Sequence, residues 1–465
     1  MAIAPKSPLP GRILLLTTSI YLAACTAPVR EDESNAELSD RYATAASARI
    51  GAARPARKLA RPVLPASRYD LARLVELALA HSPALAASRE SAGARAAAVD
   101  GAGDLPEPTV KWAEFLDPIE TRVGPQERRF EVTQALPWAG AREAEREAAR
   151  AKANAATARS SDLERTITAT VENAAWRRYR ALGLAELERR GVELLRSIEG
   201  DVDGRYRTGR AEFANLLRAG DEVVLAEERV AAAEDRARKE TARLVAAIGM
   251  DAPVQEQPFE LALDFADEDL NEDLKQRSVS FGTPALAAMD AEVQGARAAG
   301  ERVGFARKSD LAVGLFLVDT APLETATPPS NNGRDAKGVM FSFTLPIRGD
   351  SYQALEEAAR RDLRAAHARR AAAEEGLERD LELAFEDLAT AERRIALFED
   401  RLVPRAAESF DATRAGYSSG RQSFSDLIDT ARLQIRLDAQ LFEARCDREL
   451  ARIALERHLG TTTER

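Results

Sequence analysis

The chain has 465 residues, of which 31% are charged and only 5% aromatic, and its formal net charge is −10. An acidic chain without a basic block interleaved with aromatic residues argues against nucleic-acid binding, so no nucleic-acid partner is expected. Ala, Arg, Glu and Leu dominate the composition, which is typical of long helices and coiled coils rather than of several compact cores. The composition therefore predicts a mainly helical protein.

Residues 1–24 form a predicted export signal. The basic residues Lys6 and Arg12 precede an apolar run that is too short to cross a membrane as a helix. The run ends in the sequence LAAC at residues 22–25, which resembles the bacterial lipobox, the motif whose Cys becomes the acylated N-terminus. The alternative is an ordinary signal peptide beside an unrelated Cys. We expect lipidation of Cys25. Thr26 stands next to it in place of an Asp, which by analogy with bacterial lipoprotein sorting predicts that the chain is not retained at the inner membrane.

Residues 25–68 are rich in Ala, Arg and Pro and show little periodicity, which predicts a lipid-anchored N-terminal tether of low order. Cys446 is the other Cys of the chain and lies in a helical pattern. It is interpreted as a small packing residue, and a disulfide framework is excluded.

Residues 69–249 form the first of two predicted structural repeats. Apolar residues at helical spacing, interrupted at Pro83, open the repeat, and alternating apolar and polar residues then predict a β-hairpin. A long stretch without proline predicts two antiparallel helices joined by a glycine-rich turn. The predicted helix, hairpin, long helix, turn and return helix occupy about 69–99, 109–136, 141–200, 200–209 and 212–248.

The same order of elements recurs in residues 282–465, after an acidic, irregular connector at residues 250–281. Pro404 is expected to kink the long helix of this second repeat, whereas the first repeat has Glu193 at the corresponding place. The predicted elements of the second repeat occupy about 283–305, 311–318, 339–345, 350–414 and 422–459.

Two Tyr-x-x-Gly turns are the clearest trace of the duplication. Tyr206 and Gly209 match Tyr417 and Gly420 at an offset of 211 residues, and Phe and Leu follow both turns at matching spacing. The prolines that end the two predicted hairpins lie 209 residues apart, at nearly the same offset. Two separate landmarks at one offset indicate an internal duplication.

The two hairpins provide four strands, each with an apolar face and a more polar face. An open sheet has unpaired edges, and a lipid environment does not tolerate unpaired backbone groups. We therefore predict that further copies of the chain close the sheet into a barrel.

This arrangement resembles the TolC-type outer-membrane efflux proteins. The resemblance is carried by the two Tyr-x-x-Gly turns, by LVELALAHSP at residues 74–83, and by VTQALPW at residues 132–138 with Gly140. It implies a homotrimer in which long antiparallel helices form an α-barrel across the periplasm. Four strands from each of three chains, twelve in all, would form a transmembrane β-barrel. The loops at 117–127 and 319–338 would face outside, and the connector would contribute to an equatorial region.

The resemblance implies a passive exit duct of a tripartite efflux system, supplied by an inner-membrane pump through a periplasmic adaptor. The sequence LPWAG at residues 136–140 and the compact size look similar to the heavy-metal efflux branch. His81, His367 and His458 lack metal-ligand spacing, and no nucleophile or nucleotide-binding motif occurs, so no enzyme and no cofactor are expected. The alternative is a lipid-anchored periplasmic adaptor or coiled-coil scaffold, although adaptors carry one helical hairpin between lipoyl-like β segments.

The resemblance also implies a periplasmic gate near the turns. Asp426 and Asp429 match the paired Asp positions that line the family's constriction, and their spacing places both on one helix face. Three copies would concentrate negative charge on one axis, which would favour cations. The competing interpretation is that both are ordinary solvated helix residues.

A latch between helices is implied as well, and Tyr417 fits its hydroxyl position. Gln422 stands where the family has a basic residue, and Asn215 stands where it has an Asp. The predicted latch is therefore either hydrogen-bonded rather than ionic, or it uses Arg421 as the basic group.

Overall fold

The structure is a computed structural model that describes residues 68–250, 260–263, 265 and 283–459. The predicted signal peptide, Cys25 and the tether up to residue 67 lie outside the described residues, as does most of the predicted connector at 250–281. The structure is 72% helix and 12% strand, which confirms the mainly helical class.

The first half of the described chain runs through short elements and a β-hairpin into a pair of long helices. Its elements are β1 (Arg68–Tyr69), α1 (Leu71–His81), α2 (Pro83–Asp100), β2 (Thr109–Ile119), β3 (Gln126–Leu136), α3 (Ala139–Arg207) and α4 (Phe213–Ile248).

The second half repeats this order with one interruption, a π-helix of five residues. Its elements are β4 (Glu260–Leu261), α5 (Pro284–Phe305), β5 (Leu311–Thr320), β6 (Ala336–Phe343), α6 (Gly349–Leu397), the π-helix (Phe398–Leu402), α7 (Val403–Ser418) and α8 (Phe424–Leu459).

Matching helix starts show how the duplicated sequence directs the same local structure. The hydroxyl of Ser82 accepts a hydrogen bond from the backbone N–H of Leu85 (3.2 Å) at the start of α2. Thr283 caps α5 in the same way (3.3 Å). A proline follows each capping residue in the first helical turn, where its missing N–H costs nothing.

Helix α3 has 69 residues and spans about 100 Å at 1.5 Å per residue. It continues past Gly200 and Gly204, which the sequence had placed in the turn, so that prediction of the helix end was wrong. A helical glycine costs only about 1 kcal/mol relative to Ala. Burial of the neighbouring Ile198 and Val202 in a hydrophobic cluster offsets that cost.

The expected irregularity at Pro404 is present. The π-helix at Phe398–Leu402 comes immediately before α7, and Pro404 occupies the first turn of α7. Proline has no backbone N–H to donate to the preceding turn of a helix. A π-helix, with its i→i+5 hydrogen bonds, changes the bonding pattern before the proline and lets the helix continue. Helix α3 passes through the corresponding Glu193 without interruption.

The four longer strands form one antiparallel sheet in the order β2-β3-β5-β6. Trp112 lies opposite Phe130, which in turn lies opposite Leu317, so these apolar side chains share one face. Large apolar side chains on this face are exposed in the single chain: Val110, Trp112, Phe130, Leu311, Leu315, Leu317, Val339, Phe341 and Phe343.

The opposite face of the sheet is more polar. Glu131 is buried there between Lys111 and Arg129, with N–O distances of 3.3 Å to each. The guanidinium of Arg129 lies 5.4 Å from the centre of the Phe316 ring. Phe316 lies against the strand at Gly338, where a Cβ would come within 2.6 Å of the ring.

The strands are longer than the sequence predicted. The loops expected at 117–127 and 319–338 shrink to 120–125 and 321–335. A register shift between Glu114 and Ile119 allows pairing to resume after an interruption, so Asp117 and Pro118 lie inside β2. Strand β2 is at the edge of the sheet, which is where a proline is tolerated.

The hydrophobic side chains form separate clusters along the helices. One cluster joins Tyr69, Leu74, Val171 and Leu244 beside the short parallel pair of β1 and β4. Cys446 is a free cysteine that is fully buried in α8, and this burial raises the pKa of its thiol to about 12. None of the helices in the described part of the chain combines bilayer-spanning length with sufficient apolar character.

Two glycines in the loop before β2 provide a matched test of the packing. Gly103 has a φ of +70°, and a Cβ there would lie 2.3 Å from the carbonyl oxygen of Arg142. A Cβ at Gly101 would meet nothing within 4 Å. We expect Gly103→Ala to lower the free energy of unfolding by about 1–3 kcal/mol and Gly101→Ala to change it little. Thermal unfolding in detergent measures both, and equal effects would contradict the close approach.

A half-buried carboxylate in α3, that of Glu172, predicts a pH dependence. Burial and, to a smaller extent, the nearby Glu456 raise the pKa of Glu172, and Arg452 opposes the rise, so that the resulting pKa is about 7. The folded chain therefore holds this proton more tightly than the unfolded chain does. We expect stability to decrease as the pH rises from 5 towards 7, and Glu172→Gln to remove that part of the decrease. Melting temperatures of the wild type and of Glu172→Gln, measured between pH 5 and 7, check the prediction. The same dependence of melting temperature on pH in both would contradict it.

Candidate functional site

The two Tyr-x-x-Gly turns have the same backbone structure. Gly209 and Gly420 have positive φ values of +69° and +77°. In the first turn, the N–H of Gly209 donates to the carbonyl of Tyr206 (2.9 Å), and the N–H of Arg210 donates to that of Arg205 (2.8 Å). The second turn repeats both bonds at 3.0 and 2.8 Å. Glycine is favoured at these positions because L side chains rarely adopt a positive φ.

The helices on either side of the turns, α3, α4, α7 and α8, meet in a shared hydrophobic cluster, here called the tip core. It joins both copies of the duplication into one four-helix unit. The buried members of the tip core are Val192, Leu195, Ile198, Val202, Ala219, Val223, Ala226, Phe410, Tyr417, Phe424, Leu427, Ile428 and Ala431.

Polar contacts bridge the two copies beside the tip core. A guanidinium nitrogen of Arg414 lies 3.0 Å from the carboxylate of Asp201 and donates to the hydroxyl of Ser197 (3.1 Å). The Nε of Arg432 donates to the carboxylate of Glu222 (2.9 Å), which is mostly buried. These contacts tie α7 to α3 and α8 to α4.

Tyr417 is buried against the first copy. The guanidinium of Arg205 lies 4.7 Å from the centre of its ring and donates to the carbonyl of Ser418 (2.8 Å). Burial raises the pKa of Tyr417, and the neighbouring Arg205 opposes that rise. The Tyr417 ring also packs near Phe424, with 6.3 Å between the ring centres.

The residues expected in the latch lie elsewhere around the turn. Arg421 is exposed and donates from Nε to the hydroxyl of Ser419 (3.1 Å). The exposed Gln422 packs over Gly416, where an added Cβ would lie 2.5 Å from its side chain. Asn215 is half-buried in the first turn of α4, and its N–H donates to the carbonyl of Glu212 (3.1 Å).

Arg205 is therefore the basic residue that the structure places against Tyr417, and the sequence analysis did not single it out. The sequence contains a sign of this role. At the offset of 211 residues Arg205 corresponds to Gly416, so the two copies differ at the residue before the shared Tyr.

Asp426 and Asp429 are both exposed near the start of α8, but their contacts differ. Asp426 accepts a hydrogen bond from the N–H of Ser423 (3.2 Å), and its own N–H donates to the hydroxyl of Ser423 (3.1 Å). This reciprocal pair is a capping box that stabilises the helix start. Asp429 is 73% exposed and lies 3.8 Å from Arg432. Within the described residues, no group of three or more His, Cys, Asp and Glu side chains is placed to hold a metal ion.

Several solved channel structures share this fold. The outer-membrane channel OprN aligns with a TM-score of 0.65 at 18% identity, covering 84% of this chain and 89% of that one. VceC from Vibrio cholerae aligns with a TM-score of 0.67 at 16% identity, covering 84% and 96%. The open state of the MtrE channel from Neisseria gonorrhoeae aligns with a TM-score of 0.62 at 15% identity, covering 84% and 88%. The fold is thus that of outer-membrane channels.

A sequence comparison agrees with the fold comparison for the second repeat. Residues 282–461 match the family described as outer membrane efflux protein. No curated protein sequence matches the chain. The resemblance to the TolC-type outer-membrane efflux proteins is confirmed, by the family match over the second repeat and by the fold over most of the chain.

The two Asp residues provide a matched test at the helix start. We expect Asp426→Ala to lower the free energy of unfolding by about 0.5–2 kcal/mol because it removes the capping box. Asp429→Ala should change it by no more than about 0.5 kcal/mol, as is usual for an exposed side chain. Thermal unfolding in detergent compares the two, and an equal loss in both variants would contradict the capping role.

Proposed function

We propose that the protein is the exit duct of a tripartite efflux system, a homotrimer in the outer membrane that passively conducts substrates. The observation that carries this proposal is the open four-stranded sheet with an exposed apolar face, attached to helices about 100 Å long. Its fold is shared over 84% of the chain with solved outer-membrane channels.

The sheet itself argues for several copies of the chain rather than one. Among the described residues, strands β2 and β6 each have a single neighbouring strand, so each leaves one row of backbone N–H and C=O groups unpaired. Pairing β6 of one chain with β2 of the next would satisfy these groups, as hydrocarbon requires. The exposed face that carries Trp112, Phe341 and Phe343 would then contact lipid, and the face that carries Glu131 would line the lumen.

The remaining parts of the proposal come from the sequence and from the family resemblance. An acylated Cys25 would anchor residues 25–68 at the outer membrane, and the repeats at 69–249 and 282–465 would each supply one β-hairpin and one helical hairpin. The helical tips would meet a periplasmic adaptor, and an inner-membrane pump would provide the energy. A heavy-metal cargo remains a prediction from residues 136–140.

The mass of the assembly and its conductance test this proposal together. Purified full-length protein in detergent should have the mass of a trimer and should form water-filled channels in planar bilayers. A Cys25→Ala variant exported by a non-lipoprotein signal should still require detergent, because the exposed strand face remains. A monodisperse, water-soluble monomer of that variant would overturn the proposal and would favour the adaptor or scaffold alternative.

We propose further that Asp426 and Asp429 form the selectivity element of the periplasmic end. Both are exposed near the turn, and three copies would place up to six carboxylates around one axis, which attracts cations. The competing interpretation, a helix cap and a solvated Asp, predicts no effect on selectivity.

The double substitution Asp426→Asn and Asp429→Asn separates these interpretations. Asn removes the charge but can still accept a cap hydrogen bond, so folding should persist. We expect a clear loss of cation preference in the reversal potential measured across a salt gradient. The control is Asp400→Asn with Asp411→Asn, which removes the same charge from exposed helix positions. Selectivity unchanged from wild type, or lost equally in the control, would contradict the assignment.

A further inference from the structure

The polar face of the sheet carries a small group of charged side chains that the proposed function does not use. Lys111 of β2 lies directly opposite Glu131 of β3, and Arg129 precedes Glu131 by two positions, so all three share this face. The other residues that strand pairing places on this face, within the described sheet, are uncharged. The paired part of the face therefore carries two positive charges and one negative charge.

The negative charge is shielded by its two partners. The Glu131 side chain is 9% exposed, whereas those of Lys111 and Arg129 are 66% and 43% exposed. One carboxylate oxygen of Glu131 accepts from the Lys111 ammonium and the other accepts from the Arg129 guanidinium. The hydroxyl of Thr133 also donates to this carboxylate (3.2 Å). The surface that remains accessible is therefore positive, by one uncompensated charge in each chain.

Arg129 is held in place by an aromatic ring. Its guanidinium lies 5.4 Å from the centre of the Phe316 ring. That ring lies close to the strand at Gly338, where a Cβ would come within 2.6 Å of it, so the glycine leaves the space that the ring occupies. Contact with a ring face attracts a guanidinium while its N–H groups, which point outward in its own plane, stay able to donate. Arg129 is thus a positioned donor.

We infer that Lys111 and Arg129 bind oxyanions with several negative charges, such as polyphosphates, in the outer part of the barrel lumen. This rests on the trimer under Proposed function, in which the polar face lines the lumen. Strand β3 begins at Gln126, three residues before Arg129, so Arg129 lies about 10 Å along the strand from the loop at 120–125. Three chains would form a basic ring at this level. Its charge is opposite to that of the Asp residues at the helical tips.

The donor groups determine the class of ligand. A guanidinium presents paired N–H donors that match two oxygens of a phosphate or carboxylate, and an ammonium adds a compact positive charge. Lys111 and Arg129 contact the same carboxylate and therefore lie side by side. A ligand with several negative charges would contact both cations at once. A monovalent anion would gain only one exposed ion pair, which contributes little in water.

The preceding residue on β3 provides a matched control. Arg128 is also an exposed cation, but strand alternation places it on the opposite face, which would contact lipid in the proposed trimer. It pairs there with Asp319 of β5, at 3.7 Å. The substitutions Arg128→Gln and Arg129→Gln remove the same charge from adjacent positions, and only Arg129→Gln removes it from the polar face.

Calorimetric titration of tripolyphosphate into the purified trimer tests the inference, in a non-ionic detergent at low ionic strength. Wild type should show saturable binding of no more than one ligand per chain. We expect Arg129→Gln to raise the Kd about tenfold, which corresponds to the loss of one hydrogen bond to a charged group. Arg128→Gln should change it little. Glu131→Gln should lower the Kd, because it releases both cations from the carboxylate.

The mass of each variant is measured first, so that weaker binding is not confused with loss of the assembly. Absence of saturable binding to a wild-type trimer would overturn the inference. Equal weakening by Arg128→Gln and Arg129→Gln would indicate general attraction to a charged surface and would overturn it too. Weaker binding by Glu131→Gln would also contradict it, because the carboxylate would then not be shielding the cations. A wild-type monomer by mass would instead refute the proposed trimer.

Discussion

The pairing of backbone hydrogen-bonding groups at the edges of a sheet is the constraint on which the rest of this protein depends. Strands β2 and β6 each carry one unpaired edge and, together with their neighbours, an exposed apolar face. In lipid the unpaired edges lack hydrogen-bond partners, and in water the apolar face stays exposed, so closing the sheet within a membrane would remove both problems at once. In the proposed trimer, the long helices would surround the same axis as the strands, because both belong to the same duplicated unit.

Local patterning predicted the elements well. The structure agrees with three local signals. These are the capping residue followed by proline at the starts of α2 and α5, the alternation of apolar and polar residues in the strands, and the long stretch without proline in α3. The end of α3 was predicted too early because Gly200 and Gly204 look like a turn in sequence. The free-energy cost of these glycines in the helix is offset by burial of the neighbouring Ile198 and Val202 against the second repeat. That burial depends on contacts with residues more than 200 positions away in the chain.

The surroundings of the candidate site were less predictable for the same reason. The internal duplication located the turns, and the family resemblance pointed to Tyr417 and the Asp pair. The partner of Tyr417, however, depends on which helix packs across it. Arg205 occupies that place because the first hairpin covers the second, a relation that spacing within one segment does not encode. Comparing the two copies position by position would have flagged Arg205, since Gly416 stands at the corresponding place.

The buried thiol of Cys446 has a consequence for the proposed assembly of several chains. Disulfide exchange requires an accessible thiolate, and Cys446 is fully buried with a pKa raised to about 12. If Cys25 carries lipid, the folded chain presents no reactive sulfur to an oxidising compartment. In the proposed trimer, three such chains would then associate side by side without the risk of forming a wrong covalent link.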